Sequence, residues 1–147
     1  MTYDGTNDEA GDEADRPSQV RVMLRINGTD LDPDEVSQCL GLRPTKSFRR
    51  GDSFRAGGRM LRRAYGSWSL STEGTACSDD LSEHSSRLLE WLAPAKAGLE
   101  TYLEQNNIGV AIAFWWAPSH GPVGFTLTAP IFRQLGEMCK EFEFFFA

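Results

Sequence analysis

The chain has 147 residues, 40% of them hydrophobic and 11% aromatic, enough to bury the core of one domain. No apolar run comes near the roughly 20 residues of a membrane helix, so a soluble globular protein without a membrane partner is expected. The net charge of -6 argues against bulk affinity for nucleic acid, yet it combines three unlike regions: -5 over residues 1–16, +7 over residues 43–63 and -8 over the remainder.

Residues 1–18 are polar, acidic and dotted with glycine, and are expected to form a disordered tail ahead of a single domain spanning residues 19–147. They lack the basic start and apolar centre of a signal peptide. Cys39, Cys77 and Cys139 are odd in number and not spaced for a metal, so reduced thiols and a cytoplasmic location are expected. The tail is opposite in sign to residues 43–63, which makes it a candidate cover for them as well as a plain solubilising leader.

From Gln19 to Asn27 the residues alternate. Val20, Val22, Leu24 and Ile26 face one way and Arg21, Met23 and Arg25 the other, the pattern of a half-buried strand. After the Asn27-Gly28 turn, Asp32 is placed as an N-cap with Pro33 at N1 and Glu35 at N3, opening a short helix that buries Val36, Cys39 and Leu40 and stops at Gly41. Pro44 to Arg50 reads as a short strand and Ser53 to Arg63 as a mobile, glycine-rich basic loop. Tyr65 to Thr72 is a strand with Trp68 and Leu70 inward and Ser67, Ser69 and Ser71 outward.

Ser78 or Asp79 is expected to cap a long helix whose apolar face carries Leu81, Leu88, Leu92, Ala95, Leu99, Tyr102 and Leu103. Pro94 has no amide to donate to the Glu90 carbonyl, so this helix should kink or split. Ile108 to Trp116 is apolar on both faces and is expected at the centre of the sheet. Val123 to Leu127 is read as a short partner strand. Thr128 is read as the cap of a helix burying Ile131, Phe132, Leu135 and Met138. Lys140 to Phe146 closes the chain as a strand with Phe142, Phe144 and Phe146 opposite Glu141 and Glu143; these glutamates would pair with Arg21 and Arg25 if the terminal strands are neighbours. The order of elements describes an α+β fold: a mostly antiparallel five- or six-stranded sheet with helices mainly on one face.

Three stretches also carry a family likeness: LDPDEVSQCLGLRPTKSFRRGD from Leu31 to Asp52, GSWSLS from Gly66 to Ser71, and FWWAPSHGPVGFTLTAP from Phe114 to Pro130. In their order and spacing the chain resembles the bacterial family called domain of unknown function 4279, over roughly Val20 to Phe146. It departs from that family in ending on FEFFFA and in carrying Ser119-His120-Gly121-Pro122 after Trp116. The resemblance implies a small single-domain bacterial protein and supplies no reaction, cofactor or catalytic residue.

The candidate binding residues begin with Arg43, Lys46, Phe48, Arg49, Arg50 and Asp52, followed by Phe54, Arg55, Arg59, Arg62 and Arg63. Bases interleaved with aromatics are able to grip a phosphate backbone and stack a base, or to meet an acidic protein surface; a solvated loop is the plainer alternative. Asp30, Asp32, Asp34 and Glu35 crowd together, but without the spacing of a calcium loop they are better explained as helix-capping carboxylates, and no metal is expected. Trp68, Trp115, Trp116 and His120 complete the candidate set, with Gly109, Ala111 and Ala113 as a possible groove floor beside Trp115.

There is no nucleophile elbow, HExxH, P-loop or dinucleotide fingerprint, so no catalytic residue and no cofactor is assigned. The expected function is a non-catalytic protein-interaction module, of which an immunity protein that neutralises a toxin is one form. The alternatives are an anion or nucleic-acid binder using residues 43–63 and a hydrolase using His120. The sequence leaves the oligomeric state open.

Overall fold

A computed structural model describes residues 19–75, 79–117 and 124–146. The alternating first segment is strand β1 (Gln19–Gly28), and its apolar row is sealed: Val22, Leu24 and Ile26 are all 0% exposed. β1 can lie between two neighbours because both of its edges find partners. It pairs antiparallel with β5 (Gly66–Ser71), Leu24 opposite Leu70, and with β6 (Gly109–Ala117), Leu24 opposite Ile112. With β2 (Lys46–Phe48) outside β5 and β7 (Glu141–Phe146) outside β6, the sheet runs β2-β5-β1-β6-β7. The expected α+β fold with a five-stranded, mostly antiparallel sheet is therefore what the chain forms.

One pairing is parallel. Between β6 and β7 the chain makes helix α4 (Ala129–Gly136), and a strand–helix–strand connection returns the chain in its original direction, so Ile112 lies beside Phe142 and Phe114 beside Phe144. Helix α1 (Pro33–Leu40) follows β1, and α2 (Leu81–Leu92), a 3-10 turn (Ala93–Ala95) and α3 (Lys96–Leu103) follow β5. The missing amide of Pro94 divides the long apolar stripe at that turn. Leu88, Leu92 and Leu99 are all 0% exposed and join Val36, Leu135 and the inward rows of β1, β5 and β6 in one core.

Local chemistry differs from the sequence expectation at several points. Asp80 caps α2, its carboxylate accepting from Ser82 N–H at 2.9 Å; it is the acid immediately before the first helical residue, where its oxygen reaches the second helical amide. Ser78 lies outside the described residues. Thr128 does precede α4, but its side chain makes no capping bond. Residues 124–128 form no strand. The basic loop is a two-stranded ribbon, β3 (Ser53–Ala56) with β4 (Arg59–Arg62), turned at Gly57-Gly58 with φ of 57° and 76°. Consecutive positive φ values at a two-residue turn match the right-handed twist of flanking strands, and glycine adopts them without strain.

On the sheet face away from the core, β6 presents Ala111, between Arg25 of β1 and Glu141 of β7, and Ala113, between Met23 and Glu143. β1 and β7 are not adjacent. Even so, Arg25 extends over these small side chains and pairs with Glu143, while Arg21 lies 4.3 Å from the Trp115 ring and 3.8 Å from Glu73. Among the described residues no helix is long and apolar enough to cross a membrane.

Candidate functional site

The acidic corner between β1 and α1 and the arginines after β2 turn out to be one structure. Asp32 is the N-cap of α1, accepting Asp34 N–H at 3.0 Å, and its second task is to hold Arg49 at 2.7 Å. Arg49 also meets Asp34 at 2.5 Å, and Arg50 meets Asp30 at 2.8 Å. The Asp32 carboxylate, with Asp34 behind it, pushes the Arg49 guanidinium above its usual range, and desolvation acts the other way. All of these groups are substantially exposed. Their main effect is therefore to fix position, since exposed pairs add little to global stability.

Asp52 closes the base of the ribbon. Its carboxylate accepts Arg49 N–H at 2.8 Å and its carbonyl accepts Arg63 N–H at 2.8 Å, while Arg62 donates to the Gly51 carbonyl at 2.9 Å. The Arg63 guanidinium lies 4.0 Å from the centroid of Phe48 and 3.9 Å from that of Phe54, so it joins the ribbon to the sheet through two ring faces. The aromatics that looked available for base stacking have those faces occupied. Lys46 is also engaged.

Of the basic run, Arg43, Arg55 and Arg59 are exposed and form no ion pair or side-chain hydrogen bond among the described residues. The ribbon register places Arg55 directly opposite Met60, which is 59% exposed, on the face away from Phe54 and Arg63. Leu61, 36% exposed, lies opposite Phe54. The outward surface thus combines the uncompensated Arg55 guanidinium with an exposed thioether on a ribbon fixed at its base, while Arg59, opposite Ala56, lies on the Phe54 face.

The tryptophans are divided between the two sides of the sheet. Trp68 is 0% exposed and donates its indole N–H to Ser37 Oγ at 3.0 Å, a core role. Trp116 is also in the core, tilted against Phe125 at 5.3 Å. Trp115 is on the opposite face, stacked on Phe145 at 4.5 Å with Arg21 over it. His120 lies outside the described residues. His84 is the histidine the fold places: 1% exposed, its Nδ1 2.7 Å from Thr72 Oγ1, which accepts Val22 N–H at 3.0 Å. A hydroxyl beside an imidazole is the geometry of an activated nucleophile, but both residues are sealed within the core, where they tie β1 to α2.

A cleft of about 380 Å³ opens beside the acidic corner, lined by Asp30, Asp32, Glu35, Cys39, Tyr102 and Gln105 among others. Burial, reinforced by Cys39 and Glu35, pushes the Tyr102 hydroxyl up to about 12. Among the described residues no group of histidines, cysteines or carboxylates is arranged to hold a metal ion.

The arrangement defines an α+β fold carrying a basic ribbon that its own acidic corner clamps in place. The chain belongs to the family described as Domain of unknown function (DUF4279), whose model matches residues 18–145. No curated protein and no solved structure matches it.

Proposed function

We propose that the protein is a non-catalytic protein-interaction module that docks through the outward face of the β3–β4 ribbon. The observation that carries this reading is the pairing of uncompensated Arg55 with exposed Met60 on a ribbon that Arg62, Arg63, Phe48 and Phe54 hold at its base. A guanidinium beside an apolar spot on a ribbon fixed at its base suits an acidic protein surface with a small hydrophobic centre, and preorganisation lowers the ordering cost of binding. An immunity-type role, in which the ribbon covers an acidic or catalytic surface of a toxin, is the narrower form of this reading. The free Cys39 and Cys139 thiols suit a reducing bacterial cytoplasm.

The test is affinity capture from the native cytoplasm at moderate ionic strength, comparing the wild type with Arg55→Glu/Arg59→Glu and with the distant Arg133→Glu. The expected result is one specific partner, retained by the control and lost by the ribbon variant. Equal capture by all three proteins, or none by any, would sink the reading. The anion or nucleic-acid alternative still has Arg43, Arg55 and Arg59 to draw on, but Arg63 already occupies one ring face of Phe48 and one of Phe54. Anisotropy titrations with RNA and DNA oligonucleotides separate the two: strong binding that falls with salt and is lost in the ribbon variant would favour nucleic acid.

A further inference from the structure

The sheet has two edges of very different character. The β2 edge is only three residues long (Lys46–Phe48) and opens with a lysine, features that discourage a further strand. β7, at the other edge, is six residues long, reads EFEFFF, and has neither lysine nor proline. Of its two charges, Glu141 stands exposed at the first residue and Glu143 is drawn back over the sheet by Arg25, so the stretch from Phe144 to Phe146 has no charge to guard it. Among the described residues no strand pairs along its outer side.

The rings of β7 are exposed on both faces. Phe144 (45%) and Phe146 (67%) lie on the core side with Phe132 of α4 (41%), and Phe145 (41%) lies on the opposite side against Trp115. A partner resting on either face of the sheet would cover only one set. A strand added to the edge has side chains alternating up and down and covers both, while its backbone takes up the unpaired N–H and C=O groups.

We propose that this strand is β7 of a second copy, so that two molecules form a closed two-fold dimer with a continuous ten-stranded sheet. Self-pairing is antiparallel, and keeping both sets of helices on one side requires residues of like facing to oppose each other. With the two-fold axis at Phe144, Phe144 faces its own symmetry mate, Phe142 faces Phe146 and Glu143 faces Phe145. An axis at Phe142 or Glu143 would set glutamate against glutamate, which is destabilising, and one at Phe145 would leave an overlap of three residues within the strand. The exposed parts of the four rings remove on the order of 400 Å² of apolar surface per copy. With the strand backbones added, the total for both copies reaches roughly the 1,000 Å² expected of a specific interface. Because the β2 edge is blunt, addition stops at two.

The full chain is tested by sedimentation equilibrium over a wide concentration range, with two single variants whose folding is checked by circular dichroism. The wild type should pass from monomer to dimer and no further. Phe144→Lys places two lysines face to face on the axis and should weaken the dimer by about a hundredfold or more. Phe145→Lys places the new lysine opposite Glu143 of the second copy and should leave the dimer within about tenfold of the wild type. Should Phe144→Lys fail to fold, an isotope-filtered nuclear Overhauser spectrum of a mixed-label wild-type dimer reads the Phe142–Phe146 contact directly. A wild type that stays monomeric, an open-ended series of larger species, equal weakening by both variants, or a wild-type dimer lacking that contact would each overturn the proposal.

Discussion

At Gly98, α3 passes so close to α1 that an added Cβ would stand 2.4 Å from the Cys39 carbonyl oxygen, a backbone atom with little freedom to give way. Gly98→Ala should therefore cost about 1–3 kcal/mol, seen as a lower urea midpoint with an unchanged slope. Buried polar groups are equally exacting. Thr72→Val removes the hydroxyl used by both the Val22 amide and His84 Nδ1, and should cost about 1–3 kcal/mol in the same experiment. Alkaline stability follows from two raised groups. Burial pushes Cys139 from 9.0 up to about 11 and Tyr102 from 10.0 up to about 12. In each case the folded state holds its proton after the unfolded state has lost it, so the stabilisation is complete below the unfolded pKa and is lost as pH rises through the folded one. The thermal midpoint should therefore fall progressively across pH 9 to 12, and Tyr102→Phe should flatten the part above pH 10.

Elements that bury an apolar face were legible from their periodicity; the β3–β4 ribbon, which does not, reads in the sequence as a loop. β1 alternates because one row enters the core, and α2 with α3 shows helical spacing on either side of Pro94 because that face packs on the sheet. β4 is exposed at every position, so it has no hydrophobic rhythm, and only Gly57-Gly58 marked a hairpin there. The site was half legible for a related reason. The acids of residues 30–35 and the arginines at 49 and 50 each stood out, but their meeting depends on α1 folding back between β1 and β2. The clamp gives an element-scale prediction. Arg49→Ala/Arg50→Ala should leave the thermal midpoint nearly unchanged, because the pairs are exposed, while amide exchange across Ser53–Arg62 accelerates and β1 and β6 keep their protection. Unaltered exchange in the ribbon would show that Asp52 and Arg63 alone hold it.

Across the whole molecule, stability should be graded by position in the sheet. β1 is paired along both edges and supplies Val22, Leu24 and Ile26 to the core, so its amides should exchange only on global unfolding. Among the described residues β7 has one partner, β6, and holds it through aromatic contacts such as Phe114–Phe144 at 5.1 Å, with much of its own surface still in water. It should open as a unit at lower free energy than β1. Pairing with a second copy changes this in a way no intramolecular effect reproduces. A species that exists only as the dimer lends β7 extra protection that grows with protein concentration by mass action, while β1 and the ribbon stay as they were. Exchange measured at low and high concentration should thus slow at residues 141–146 alone. Slowing spread evenly over the chain would point to general aggregation, and slowing confined to Ser53–Arg62 would move the self-association surface from the sheet edge to the ribbon.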